Sequence, residues 1–520
     1  MTDSPVDSLR ADLTAARFTV AELGTLWGEV AGGALYRGQR IPARRALDGR
    51  RSDARTSDAR TSDAAAALAT LARLFVLGDP VPVDDLERAL PRLAIEGAVG
   101  LGLVAREGGS AVPLVDLRPY SFVDARGAGE WWIASDLGEL ALGHALPEDH
   151  VLGVGGASMT LSGLMLQAPV GSALDLGTGC GIQALHASRH ADRVVATDIS
   201  VRALELAAFN ARLNEVAGIE FRLGSLFEPV AGERFDHIVS NPPFVITPRG
   251  DGVPEYEYRD GGMVGDALVE AVIEQVADVL APGGVAQLLA NWEYRGEGDA
   301  FDRVRGWLDT AGAADLDVWV IERDVQDAAE YAETWIRDGG TRPGTARFDE
   351  LLSAWLDDFA ARDVTSVGFG YVLVRRPEAG TPTLRRLERL HGSLGENEAG
   401  LGVHLGAALA AHDGQAATSD SELASSRLAV APDVTEERHF WPGDEGPTAM
   451  LLRQGGGFGR TVQAGTALIA LVGACDGDLT VGAICAAIAQ LLEVDAAELT
   501  AELLPSVRGL IDDGFLLPVT

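Results

Sequence analysis

The chain has 520 residues, 47% of them hydrophobic and 23% charged, a globular balance with room for three or four domains. Its formal charge is −35 and it contains no lysine, so every basic side chain other than histidine is arginine. That acidity argues against a broad electrostatic footprint for nucleic acid and leaves only a small basic patch open.

Met1 to Arg17 is polar and acidic, without an apolar run, so no signal peptide is expected. Residues 1–149 read as a mostly helical accessory region. Thr19–Val30 and Ala64–Leu77 carry helical apolar spacing. Between them Ser52-Asp-Ala-Arg-Thr repeats with decay to Asp63, a tract near 50–64 too polar to build a core and expected as a loop. From Tyr36 to Arg60 eight arginines face three aspartates, the one locally basic stretch, readable as a solvated loop or as a handle for phosphate. Leu71–Leu77, Val83–Leu90, Val99–Val104 and Val112–Leu117 then read as helix, helix, strand, strand, with Gly108-Gly109 as the hairpin turn, a winged-helix-like order.

Residues 150–377 alternate strands and helices. Strands are expected at 173–176, 194–197, 219–223, 235–240, 285–290, 316–321 and 366–374, and helices at 182–189, 201–214, 268–280 and 301–311. This alternation predicts an α/β fold: a doubly wound, mostly parallel, seven-stranded Rossmann-like sheet. Helical spacing near 324–362, with Tyr331, Trp335, Trp355 and Phe359, predicts a helical insertion close to the substrate mouth. Residues 378–430 read as a linker or irregular segment. Residues 431–520 read as a small, mainly helical, winged-helix-like domain, with helices at 468–473, 481–492 and 499–512 and a closing strand near 514–518. The apolar stretch Thr466–Leu492 is broken by Asp476 and Asp478, so no membrane span is expected. Cys180, Cys475 and Cys485 are too scattered for a disulfide framework or a zinc site, which fits a cytoplasmic protein.

Two motifs carry chemistry. Asp175-Leu-Gly-Thr-Gly-Cys-Gly181 places three glycines where the first strand turns into a helix, so that backbone can approach a ligand. The spacing is G-x-G-x-G, not the G-x-G-x-x-G of dinucleotide sites. Asp198 closes the second strand about twenty residues later, where a carboxylate accepts ribose hydroxyls. Ser200, not Asp198, suits the helix cap, and Ile199 would pack on an adenine. The second motif, Asn241-Pro242-Pro243-Phe244, follows the apolar strand 235–240. Two prolines fix the backbone, the asparagine and the freed carbonyls accept N–H protons, and the phenylalanine offers a flat face. Such a set suits a planar group bearing NH2.

Asp175–Gly181, Asp198-Ile199, Gly224–Phe227 and Asn241–Phe244 resemble the class I S-adenosylmethionine (SAM)-dependent methyltransferases of the N-P-P-[FY] branch. That branch includes release-factor glutamine, adenine-N6 and guanine-N2 enzymes. The resemblance covers residues 150–300. It implies SAM as cofactor, with Asp175, Gly177, Thr178, Gly179 and Gly181 at its methionine part, Asp198 at the ribose, and Ile199, Ser225 and Leu226 at the adenine. Ser225 stands where the family commonly has an aspartate, so one charged acceptor is missing. Ser158 and Thr160 would meet the cofactor carboxylate. Asn241, Pro242 and Phe244 would be catalytic, and Pro243, Tyr258 and Arg259 would line the acceptor pocket ahead of Gly261-Gly262. The expected acceptor is an NH2 of an RNA or DNA base or of a protein glutamine. A small-molecule acceptor and a non-catalytic SAM-binding scaffold are the alternatives.

Overall fold

A computed structural model describes residues 4–53, 59–142, 146–250, 252–254, 256, 259–310 and 315–519. The chain divides into two compact units. The first comprises residues 1–162, 169–316 and 325–379, and the second 163–168, 317–324 and 380–520.

The first unit is built on a sheet of six strands: β1 (Val170–Leu176), β2 (Ala191–Asp198), β3 (Ile219–Leu223), β4 (Phe235–Ser240), β5 (Leu280–Arg295) and β6 (Val364–Arg375). Their order is β6-β5-β4-β1-β2-β3. All neighbours are parallel except β5 and β6. The strand Asp317–Asp327 is present where a strand was expected, and most of its residues fall in the second unit. Helices α1 (Ile182–Ala187), α2 (Val201–Leu213), α3 (Ala267–Val279) and α4 (Ala300–Thr310) make the connections. From β1 the chain winds outward through β2 to β3, then returns to β4 on the other side of β1. The crevice at this reversal lies beyond the carboxyl ends of β1 and β4, where ligands of such sheets bind. Pro282-Gly-Gly284 forms a bulge inside β5, where the pairing with β4 slips between Leu280 and Val285. The insertion is two helices, α5 (Ala328–Asp338) and α6 (Ala346–Ala361), burying Tyr331, Trp355 and Phe359 in an apolar cluster with Val245 and Ile246.

Residues 4–136 share this unit and its core. One apolar cluster joins Leu9, Leu13, Phe75, Leu117 and Ile133 to Ile182, Leu185, Leu206 and Phe209, so the boundary expected at 149 is not a break in the core. The hairpin turn at Gly108-Gly109 is as expected, between Val104–Glu107 and Ser110–Pro113. Val99, expected in a strand, lies in the helix Ala94–Gly100. Of the repeat tract, residues 50–53 and 59–64 are helical rather than looped, since alanine and arginine favour helix; 54–58 lie outside the described residues. Beyond 115–117, the sequence reading missed a hairpin of two ten-residue strands, Val115–Asp124 and Gly127–Asp136, paired along its full length. Asn210 on α2 and Asn214, its C-cap, dock it. Asn214 Oδ1 accepts from Trp132 N, and Asn210 Oδ1 from Ala134 N, each at 2.8 Å. Asn210 Nδ2 also donates to the carbonyls of Ala134 (2.9 Å) and Cys180 (2.8 Å).

In the second unit, Asp317–Asp324 includes residues that pair in parallel with Arg385–Arg389. Residues 378–430, expected as irregular, contain that strand, the helices Leu401–Ala416 and Asp420–Ser425, and the strand Arg427–Val430. The helices Thr466–Gly473, Val481–Leu492 and Ala496–Asp512 fall where apolar spacing put them and bury one core around Leu471, Cys485, Val507 and Phe515. Two three-stranded antiparallel sheets complete this part; the expected closing strand, Leu516–Pro518, belongs to one of them, and the other strands were not anticipated. No helix among the described residues is long and apolar enough to cross a membrane.

Candidate active site

The turn after β1 is held by its own neighbourhood. Gly177, Gly179 and Gly181 have φ of +75°, +54° and +87°. A Cβ at Gly177 or Gly179 would meet nothing within 4 Å, so there the requirement is conformational and the space in front stays open. At Gly181 a Cβ would lie 2.9 Å from Ala207 Cβ, so this glycine lets α2 pack close. The amides of Gly177 and Thr178 both donate to the Thr197 carbonyl at 2.9 Å, tying the turn to β2. Gly179 N donates to Asp198 Oδ2 and Ser200 N to Asp198 Oδ1, both at 2.9 Å. The carboxylate is thereby aimed, and burial raises its pKa. Ser200 caps α2, as expected.

One cavity gathers most of the expected residues: Gly177, Thr178, Gly179, Asp198, Ile199, Ser225 and Leu226 on one side, Asn241, Pro242 and Pro243 on the other. Ser158 also lines it, whereas Thr160 does not. Asp175 and Gly181 do not line it either. Asp175 is fully buried, accepts from Thr178 Oγ1 at 2.6 Å, and braces the turn from behind. Burial pushes its carboxyl up to about 7.

At the other end, Asn241 is half-buried, and among the described residues its side-chain amide makes no hydrogen bond. The Pro242 carbonyl accepts from Phe244 N at 2.8 Å, a tight three-residue turn that leaves its second lone pair. Phe244, expected to stack on the acceptor, does not line the cavity: its backbone bridges to Asp260 and its carbonyl accepts from Asn291 Nδ2 at 2.9 Å. Arg259, expected in the acceptor pocket, is buried elsewhere, because a buried guanidinium needs partners. It donates to the Trp335 carbonyl (2.7 Å) and Asp338 (2.8 Å) and stacks on Tyr256, tying its loop to α5. Tyr258 lies outside the described residues. The cavity wall beside Pro243 is Gly261, Met263 and Leu268.

Gln183 and Thr197 were missed. Both line the cavity and are buried; Gln183 Oε1 and Thr197 Oγ1 have no partner among the described residues. Gln183 Nε2 donates to the Ser158 carbonyl at 2.8 Å, which fixes the segment His150–Ser158 along the same wall. A polar residue on the first turn after a glycine loop was the available signal. These donors and acceptors fit SAM. Asp198 suits ribose hydroxyls, Ile199 an adenine face, and the orphaned Gln183 and Thr197 oxygens face a cavity that would otherwise leave them unpaired.

Residues 155–301 match the family described as "Methyltransferase small domain". Residues 15–114 and 414–518 match two families described only as domains of unknown function. Over 147 residues the chain is 40% identical to the release factor glutamine methyltransferase of Xylella fastidiosa, covering 26% of this chain and about half (51%) of that relative's length. A solved SAM-dependent methyltransferase from Thiobacillus denitrificans, in complex with S-adenosyl-L-homocysteine, is 18% identical, with 43% of this chain and 92% of that chain covered at a TM-score of 0.26. Over 135 residues the chain is 33% identical to a provisionally named protein N5-glutamine methyltransferase of Methanocaldococcus jannaschii, covering 25% of this chain and 67% of that protein. By that identity and coverage, the chain belongs to the class I SAM-dependent methyltransferases of the N-P-P-[FY] branch.

Proposed function

We propose that this protein methylates the side-chain amide nitrogen of a glutamine in a partner protein. The observation that carries the reading is Asn241: its amide lines the cofactor cavity and is unengaged by the described residues. SAM, when bound, supplies a methyl group already activated on a sulfonium. The work left to the chain is alignment and charge placement. An amide nitrogen is a poor nucleophile because its lone pair is delocalised. Asn241 Oδ1 accepts one of its protons and the remaining lone pair of the Pro242 carbonyl accepts the other. Both hydrogen bonds strengthen as positive charge develops on the nitrogen, and the surplus proton leaves to solvent by way of one of these acceptors once the methyl is attached. Pro243, Met263 and Leu268 give the acceptor an apolar wall and exclude water.

Two facts favour a protein over a nucleic acid. The relatives described above are named for glutamine, and the net charge of −35 opposes a phosphate backbone. Within the arginine-rich stretch, Arg40 donates to the Leu77 carbonyl and Arg44 pairs with Asp79, so these two serve the fold. The test is transfer of tritiated methyl from SAM into an extract of cells lacking this protein, followed by protease or RNase. Protease should remove the label, and acid hydrolysis should release it as methylamine. Label removed by RNase would overturn the reading.

A further inference from the structure

We propose that Asn291 and Tyr331 are positioning residues that set the acceptor-binding loop; the proposal rests on the methyl-transfer reading above. Both side chains have 0% exposure, and burying an amide and a phenol is costly unless their hydrogen bonds are used. Their side-chain hydrogen bonds run to the loop after β4 or to each other, and Asn291 Oδ1 has no partner among the described residues. Asn291 Nδ2 donates to the Phe244 carbonyl at 2.9 Å and to the Tyr331 hydroxyl at 3.2 Å. The same hydroxyl accepts from Ile246 N at 3.0 Å. Phe244 N in turn donates to the Pro242 carbonyl at 2.8 Å. Residues 242, 244 and 246 are thus fixed in one chain of hydrogen bonds that starts on neighbouring elements.

Those elements are rigid. Asn291 lies on β5 three residues beyond Leu288, the partner of Ser240 at the end of β4. Tyr331 lies on α5, its ring stacked on Phe369 at 5.6 Å and flanked by Trp355 and Phe359 at 6.0 and 5.9 Å. The phenol is therefore held by packing and cannot follow the loop if the loop moves. In-line transfer tolerates little displacement of the acceptor nitrogen, so loosening residues 242–246 should slow the chemistry while leaving the cofactor end untouched. The helical insertion then acts as the anvil for the Asn241-Pro242 acceptors, through a residue that touches neither cofactor nor acceptor.

The test compares Tyr331→Phe, Asn291→Leu and Asn241→Ala with wild type. It uses single-turnover methyl transfer from SAM into the protein fraction of the same cell extract, SAM dissociation constants, and amide hydrogen exchange. Tyr331→Phe should slow transfer roughly tenfold and speed exchange at Phe244 and Ile246. SAM affinity and the extract concentration giving half-saturation should stay within about twofold of wild type. Asn291→Leu should show the same pattern, and it keeps the test open if the first variant folds poorly. Wild-type transfer by Tyr331→Phe and Asn291→Leu beside an inactive Asn241→Ala would overturn the positioning role. Loss of SAM affinity together with faster exchange across the whole sheet would also overturn it, by showing a general structural effect. Wild-type rates in all three variants would instead overturn the proposed function.

Discussion

The turn after β1 and the turn after β4 meet in one cavity but are held in different ways. The first is fixed from within and from the adjacent strand: positive-φ glycines, the Thr197 carbonyl and the Asp198 carboxylate. The second is fixed from a distance, by Asn291 fifty residues downstream of Asn241 and by Tyr331 ninety residues downstream. A cofactor common to a whole family can be met by a local motif. An acceptor particular to one protein needs a loop whose shape can be reset by changing residues elsewhere.

The contrast predicts separable losses. Asn241→Ala should reduce methyl transfer by about a hundredfold or more while SAM affinity stays within about twofold, measured by isothermal titration. Equal loss of both would erase the distinction between the two ends. Gly181→Ala is the converse. Its Cβ would press on Ala207 at a φ of +87°, and the strain of about 1–3 kcal/mol should weaken SAM binding roughly tenfold and lower the melting temperature. Asn210→Ala should cost about 1–3 kcal/mol in urea unfolding, because the Ala134 amide and the Cys180 carbonyl lose their partner. SAM affinity should fall with it, whereas the exchange rate of Ile246 should not change.

Acid tests the buried histidines of the same unit. Burial holds His186 and His190 down to about 4 and His237 down to about 3, with His190 and His237 hydrogen-bonded to each other at 2.8 Å. Above pH 6.5 neither the folded nor the unfolded chain protonates them, and they contribute no pH dependence. Below it the unfolded chain takes up protons first, so stability should fall between pH 6.5 and 4, by on the order of 1 kcal/mol per pH unit for each histidine. Asp175 works the other way. Its folded pKa of about 7 lies above the ordinary carboxylate value, so stability should be lost as pH rises from 4 to 7. Asp175→Asn should remove only this second slope in urea melts across pH.

The same contrast explains what was legible. β3 and β4 were placed to the residue, and Gly177, Thr178, Gly179, Asp198, Ile199, Ser225 and Leu226 line one cavity together, because each is announced by its neighbours in the chain. Asp175 and Gly181 were found too, but as contacts rather than as the brace and the packing gap they are. Arg259 was assigned to the pocket because an arginine beside a motif looks available; its commitment to Asp338 and the Trp335 carbonyl depends on a helix seventy residues later. Most of the hairpin at 115–136 escaped because the side-chain amides that hold its backbone belong to Asn210 and Asn214, about eighty residues away. No local pattern could show that the core runs unbroken from Leu9 to Phe209.

That unbroken core bears on how the gene can be edited. A polypeptide starting at residue 150 would leave Asn210 and Asn214 without the strand they grip and would bare the apolar side of α2. The region ahead of the sheet is therefore a fixture and not a removable recruitment module. Swapping it between relatives should transplant poorly unless α2 is exchanged along with it.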